Sequence, residues 1–348
     1  MRAKMIEFEN NNLHFYLHKF DSFQRHKGLG GTDIASILGF HEYNTALDVF
    51  LAKHGKQKEF KETTASRMGQ LWEDPIAQLY FEINELEKDH RNLKMIDVGT
   101  VTNPELSWAF GSPDKIIVDQ HGQWLWGLEV KTVGIRSEHL FGESFSNQIP
   151  QRFYLQCFWY LIICRSICRL MEWEQIEYWD LIVLIGGQDE RQYRIFYDEE
   201  VEDHLLSEAC DFWENSVLNK NPPKIIIRDH DSLPLLWPED DGTVIKADEN
   251  IDKLVENLQN VDKKIEKLEK KRSEIKLALK LIIGENSVLE SNTWKITWKK
   301  RKAPKRVDWQ GIVKQLNPPE EMVAAFTKYG RPQRPFITNF NKKKRAKK

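Results

Sequence analysis

Between Gly111 and Thr132 the chain reads GSPDKIIVDQHGQWLWGLEVKT, and this segment limits the possible folds more than any other. Two apolar runs, IIV and the alternating W-L-W, flank QHGQ, which reads as a tight hairpin turn. With the turn at His121-Gly122, the register sets Asp114 opposite Glu129. Glu129 and Lys131 are two apart and share one side of their strand, while Val130 faces away into the core. Two carboxylates and an ammonium therefore converge on one patch. Like charges at cross-strand distance repel unless something neutralises them. A divalent cation does so, and oxygen ligands suit Mg2+ or Mn2+. Such an ion polarises a phosphate oxygen and acidifies a water, while the lysine positions that water or stabilises charge on phosphorus. The patch points to hydrolysis of a phosphodiester. A surface hairpin with an ordinary salt bridge is the competing reading, because Asp…Glu-x-Lys alone recurs by chance.

The flanking sequence reads as alternating helix and strand from about Arg25 to Asn221. Thr32 stands at an N-cap position ahead of DIASILGF, and Asn44-Thr45 opens TALDVFLAKHG. A third helix runs from about Thr64 to Ile83, with Met68, Leu71, Trp72, Ile76, Leu79 and Tyr80 at helical spacing. Pro75 falls inside it and kinks it. After the hairpin come a long helix from about Pro150 to Cys168, a strand pair (WDLIVLIGG and RQYRIFYD) and a helix ended by NPP. A linker rich in Asp and Pro covers about Arg228 to Asp241.

Beyond it, Ile251, Leu254, Leu258, Val261, Ile265, Leu268, Ile275, Leu279 and Ile282 keep a heptad that only Arg272 interrupts. This is a coiled coil or helical hairpin, or a long helix packed on its own domain. SVLESNTWKITWKKRK then reads as a basic β-hairpin around Ser291-Asn292, followed by a short helix, a Pro-rich strand and a lysine-rich tail. The domain reading is 1–227 for the core and 228–348 for the extension, with the heptad helix at about 248–283 and the basic hairpin and tail at 285–348.

Net charge is only −2, yet Lys295–Lys348 carries 17 Lys and Arg against 3 acidic residues, out of 51 and 53 in the whole chain. Such polarity marks a nucleic-acid-binding tail or a solubilising one. Cys157, Cys164, Cys168 and Cys210 read as free thiols. An iron–sulfur site is set aside because no cysteine precedes Cys157. No apolar stretch is long enough to span a bilayer, and MRAKMIEFENNNLHF has no signal-peptide core, so no membrane role and a cytoplasmic location are expected.

Ser112-Pro113-Asp114, with Glu129-Val130-Lys131 starting fifteen positions after Asp114, resembles the signature of PD-(D/E)XK nucleases. MGQLWEDP is similar to the MGxxxE helix of YqaJ-type viral recombinases, and QCFWY to the QxxxY helix beside the site. RHKGLGGTDIASILGF is similar to the GxGGSDIAAILG opening of the same family, which includes exonucleases of the lambda kind. The resemblance implies a restriction-endonuclease-like α/β core, a central mixed sheet flanked by helices, with a C-terminal long helix or coiled coil and a basic hairpin. It implies metal ligation by Glu73, Asp114, Glu129 and the Val130 carbonyl, with Lys131, Gln156 and Tyr160 completing the catalytic set. It assigns the DNA 5′-phosphate to Arg25, Thr32 and Arg136, beside a Gly30-Gly31 turn whose amides and helix dipole suit an anion. The implied activity is Mg2+-dependent 5′→3′ digestion of linear duplex DNA in phage-type recombination, in a bacterial host's cytoplasm. The implied partners are double-stranded DNA ends, further copies of the chain in a trimer, and a single-strand-annealing protein. An endonuclease or nickase on the same core, or a non-catalytic DNA-binding protein, are the alternatives.

Overall fold

Strands form in this chain where apolar alternation meets β-branched and aromatic residues, and helices where the period lengthens to three and four. A computed structural model describes residues 5–7, 14–16, 25–56, 62–302, 306–327 and 334–338. After a short antiparallel strand pair, Met5–Glu7 with His14–Tyr16, come three helices: α1 (Gly31–Ile37), α2 (Ala46–Lys53) and α3 (Thr64–Ile83). Then follow β1 (Lys94–Ile96), β2 (Lys115–Val118), β3 (Trp124–Val133), α4 (Gln151–Leu170), β4 (Tyr178–Ile185), β5 (Asp189–Phe196) and α5 (Glu199–Asp211).

Among the described residues, the largest sheet is mixed and has the spatial order β1-β2-β3-β4-β5. Every neighbouring pair is antiparallel except β3 and β4, which run parallel with α4 as their crossover. The expected hairpin register holds: Lys115 pairs with Leu128, Ile116 with Gly127 and Ile117 with Trp126. It slips only at a bulge next to Val118, where the turn begins. Gly122 in that turn has φ +80°, which favours glycine.

Alternation along β3 separates two packed layers. On one face Trp126 meets Tyr80 of α3: its Nε1–H donates to the Tyr80 hydroxyl at 3.0 Å. On the other face Gly127 lies under Trp179, and a Cβ there would come within 2.1 Å of the indole. Tyr160 of α4 packs on that indole at 5.7 Å between ring centroids. The sheet is thus covered by α3 on one face and α4 on the other. The α3–sheet contact holds a buried polar network. Tyr80 donates to Asp180 Oδ2 at 2.5 Å, and Arg194 grips both Asp180 oxygens at 2.8 Å. Such a network is stable only when each member is satisfied. Cys157, Cys164 and Cys168 are buried within α4, and all four cysteines are free thiols.

Three expectations are corrected. The stretch read as a linker from Arg228 is packed up to Leu236: it forms a 3-10 turn, Ile227–Asp231, and one helical turn, Leu233–Leu236. Ser232 is fully buried and donates to Asp48 Oδ1 at 2.6 Å, while Arg228 donates to the His41 carbonyl at 2.8 Å. The compact unit accordingly continues to Pro238. Secondly, Thr32 is not the cap of α1. Gly30 holds that position, with its amide donating to Asp33 Oδ2 at 2.9 Å, so Thr32 sits one residue inside the helix. Thirdly, described residues 334–338 of the Pro-rich segment form no strand, whereas a second short helix does form before them.

The other compact unit, Glu239–Gln333, holds α6 (Glu249–Ile283), the hairpin of β6 (Val288–Glu290) and β7 (Lys295–Thr297), and two short helices, Trp309–Leu316 and Glu320–Phe326. The 35-residue α6 is the expected heptad helix, capped by Asp248, and most of its a and d side chains are exposed. The lysine-rich tail from 339 lies outside the described residues. Among the described residues, no helix is long and apolar enough to cross a membrane.

Candidate active site

The β2–β3 register carries Asp114 to the head of its strand, level with Glu129. Both are buried, at 7% and 1% exposure. Asp114 Oδ2 accepts the Val130 amide at 2.9 Å, which pins one strand end to the other. Glu129 Oε1 accepts from Gln156 Nε2 at 2.6 Å and from the Lys131 ammonium. Gln156 also donates to the Tyr160 hydroxyl at 3.0 Å. The i,i+4 spacing on α4 puts Gln156 and Tyr160 on one helix face, stacked over the carboxylate.

These side chains line one open cavity of about 660 Å3. Glu73 enters it from α3. Arg25 lines it from the segment before α1, and Thr32 from the first turn of α1. Arg136 is not among its lining residues; it lies exposed on the 3-10 turn after β3. The cavity therefore gathers residues that are more than a hundred positions apart in sequence, with both signs of charge present. Burial works against the Lys131 charge, but Glu129 and then Asp114 outweigh it and hold the ammonium pKa above the ordinary lysine value. Burial, and then Glu129, push the Tyr160 phenol well above its usual value, so it stays protonated. The same two causes push the Cys157 thiol well above its usual value.

Glycines set the close approaches. A Cβ on Gly31 would sit 3.0 Å from both Gln156 Cγ and Tyr160 Cε1, so this glycine lets α1 lie directly on α4. Its role in the Gly-Gly turn is packing. The turn's anion-binding expectation is weakened too, since the Gly30 amide already serves Asp33.

Two lysines at the site carry no motif. The covered Lys53 side chain donates to Asp33 Oδ2 at 2.7 Å and to the Arg25 carbonyl at 2.9 Å, tying the Arg25 segment to α1 and α2. Lys115, next to Asp114, donates to Asp74 at 2.6 Å and Asp97 at 2.7 Å. It thereby clamps α3 beside Glu73 to the sheet. Sequence alone hides both, because their partners lie on other elements.

Glu73, Asp114 and Glu129 form an all-oxygen donor set, with the Val130 carbonyl adjacent in sequence. Hard cations such as Mg2+ or Mn2+ fit that chemistry. Among the described residues, no three such groups already stand close enough together to hold an ion. Lys131 meets the electrostatic demand of Glu129 as the side chains stand, so an incoming cation would compete with the ammonium for that oxygen.

The resemblance to YqaJ-type viral recombinases holds: residues 22–166 match the family model for the YqaJ-like viral recombinase domain. The uncharacterized protein YqaJ of Bacillus subtilis (strain 168) is 27% identical over 203 residues, 58% of this chain and 57% of that protein. The chain thus spans little more than half the length of this curated relative. Among solved structures, the alkaline exonuclease LHK-Exo of Laribacter hongkongensis shares 12% identity over 55% of this chain and 88% of its own, with a TM-score of 0.40. A putative exonuclease from Eubacterium rectale shares 12% over 72% and 98%, with a TM-score of 0.35. At these scores the structural likeness carries no argument about activity.

Proposed function

We propose that the cavity is the active site of a PD-(D/E)XK-type, metal-dependent DNA exonuclease that degrades linear duplex from its 5′-phosphorylated ends. The observation that supports it most is the single cavity shared by Asp114, Glu129, Lys131 and Gln156 with Glu73, Arg25 and Thr32. A salt-bridged surface hairpin would not recruit a third carboxylate from α3 and a cation from the N-terminal segment.

Glu73, Asp114, Glu129 and the Val130 carbonyl would hold Mg2+ or Mn2+. When bound, that ion supplies Lewis acidity to a phosphate oxygen and acidifies water. The chain's own residues do the rest. Gln156 and Lys131 fix the Glu129 carboxylate in one orientation. Lys131, drawn towards the phosphate as its hold on Glu129 is shared, places positive charge against the oxygens that gain negative charge as the bond breaks. Asp114, held by the Val130 amide, keeps both strand ends in register. Arg25 offers a guanidinium fork and Thr32 a hydroxyl to the terminal phosphate, which has more charge and one more free oxygen than an internal phosphodiester. Arg136, away from the cavity, is left out of this role.

Further copies of the chain in a ring and a single-strand-annealing partner belong to the same reading. The test is to incubate linear and covalently closed circular duplex with Mg2+. Nucleotide release from the linear form alone is expected. Cleavage of the circle would replace the exonuclease with an endonuclease, and no cleavage of either would leave a DNA-binding protein.

A further inference from the structure

We infer that the β6–β7 hairpin is a binding site for single-stranded nucleic acid, with Trp294 and Trp298 as base-stacking platforms. The inference deepens the proposed DNA function and rests on it for the identity of the polymer.

Tryptophan in a folded chain is normally well covered, as Trp159 and Trp179 are in the nuclease-like unit. Trp294 and Trp298 are instead 49% and 48% exposed. Neither is a stray loop residue. The ladder that pairs Glu290 with Lys295 and Leu289 with Ile296 extends to both tryptophans: the Ser291 amide donates to the Trp294 carbonyl, and the Trp298 amide donates to the Ser287 carbonyl, each at 2.9 Å. Alternation along β7 puts Trp294, Ile296 and Trp298 on one side. The half-buried Leu289–Ile296 pair already anchors this small hairpin, so the indoles flank its apolar centre and do not fill it. Four residue steps of extended chain separate them by about 13 Å, enough for each ring to take its own base.

The charge around the rings selects the occupant. Lys299, Lys300, Arg301 and Lys302 are all exposed, and no acidic residue falls between them, while Lys295, on the other side of β7, is paired with Glu290 at 2.8 Å. Lys280 of α6 adds its ammonium 5.4 Å from the centre of the Trp298 ring. A continuous apolar partner surface would leave these cations desolvated and unpaired. A polynucleotide strand supplies what both parts need: phosphates for the cations and flat π-faces for the indoles. Duplex DNA supplies phosphates too, but its base faces are already stacked on one another. The patch therefore favours the unpaired strand, the form that digestion of one strand of a duplex leaves behind.

The experiment uses the full chain with EDTA, which prevents metal-supported cleavage. Fluorescence anisotropy follows a fluorescein-labelled oligothymidylate of about 20 nucleotides, longer than the roughly 4–16 nucleotides of common single-strand sites. Trp294→Ala and Trp298→Ala should each weaken binding roughly five- to a hundredfold, whereas Trp298→Phe, which keeps a π-face, should retain most of the affinity. Affinity for a blunt duplex should change little. Replacing Lys299, Lys300, Arg301 and Lys302 by Gln should flatten the salt dependence by about 0.7 in the log–log slope per lost phosphate contact. Circular dichroism first confirms that each variant keeps its helix content.

Folded tryptophan variants that bind oligothymidylate like the parent overturn the inference. So does equal weakening on single strand and duplex, which would make the patch a general phosphate contact. A change in sedimentation with unchanged oligonucleotide affinity would make it a protein interface. The two readings fail separately. A chain that binds oligothymidylate through its tryptophans but releases no nucleotides keeps the hairpin site and loses the nuclease. A chain that releases nucleotides but ignores Trp294 and Trp298 does the reverse.

Discussion

Replacing Gln156 by Met tests how the site holds its buried carboxylate. The side chains are close in volume, so α4 keeps its packing. What is lost is the donor that reaches Glu129 Oε1 at 2.6 Å and the Tyr160 hydroxyl at 3.0 Å. A hydrogen bond to a charged group contributes about 1.5–3 kcal/mol. If that energy is expressed at the transition state, cleavage slows roughly ten- to 150-fold. Lys131 still contacts Glu129, so the carboxylate stays in the cavity but loses its fixed orientation. The loss should fall on kcat, with KM for DNA nearly unchanged, because Gln156 helps orient the reacting centre and the rest of the DNA is held elsewhere. Gln156→Glu should be worse, since it sets a second carboxylate against Glu129 in a buried site. The assay is nucleotide release from linear duplex at saturating Mg2+, with a thermal melt of each variant. A Gln156→Met protein with parental kcat would refute the positioning argument. A loss confined to KM would move Gln156 from the reacting centre to DNA binding.

Tyr80→Phe removes the hydroxyl that joins Trp126 to Asp180 and leaves the buried Trp126 Nε1–H without its acceptor, so stability in urea should fall by about 1–3 kcal/mol. Burial, and then Asp180, raise the Tyr80 pKa far above its ordinary 10.0. The unfolded chain therefore ionises this tyrosine above pH 10 while the folded chain does not. The parent's advantage over the Phe variant is complete below pH 10 and should shrink by up to about 1.4 kcal/mol per further pH unit; a constant gap from pH 9 to 11 would contradict the buried neutral phenol. Lys115→Met cuts the clamp between Asp74 and Asp97, whose carboxylates are largely exposed, so stability should change by no more than about 1 kcal/mol. The Mg2+ midpoint for cleavage should nevertheless rise, because the helix that carries Glu73 loses its tie to the sheet next to that residue; an unchanged midpoint would remove the clamp from the site's machinery. Arg25→Ala should slow digestion of 5′-phosphorylated duplex about ten- to a hundredfold and matter little on 5′-hydroxyl duplex; equal losses on both would make Arg25 a general contact.

What the sequence disclosed and what it hid divide along physical lines. The β2–β3 register was legible because side chains alternate with a period of two and a Gly-containing turn fixes the phase. That register alone brought Asp114, Glu129 and Lys131 together. The helix α3 and the buried α4 were legible from apolar spacing, and the heptad of α6 likewise. Lys53 and Lys115 were not, because each joins partners 18 to 41 residues away, or a backbone carbonyl, and no local pattern records such contacts. Thr32 lies inside α1 because Gly30 holds the cap, its amide bonded by the Asp33 carboxylate that Lys53 also contacts, and neither contact is written in the local pattern. Arg136 follows β3 closely in sequence, but the 3-10 turn carries it off the cavity. The Asp- and Pro-rich run after Arg228 looked like a linker by composition, yet Ser232 finds a buried carboxylate on α2 that only the folded chain presents.

The most direct measurement of the central claim is Mg2+-dependent release of acid-soluble nucleotides from end-labelled linear duplex by the parent, Asp114→Ala and Glu129→Ala, each verified as folded and still bound to DNA. The account predicts release by the parent, none in EDTA, and none by either variant while DNA binding persists. Release at the parental rate by a folded Glu129→Ala protein would contradict it, because the cavity built around that carboxylate would then not be where the phosphodiester is cut.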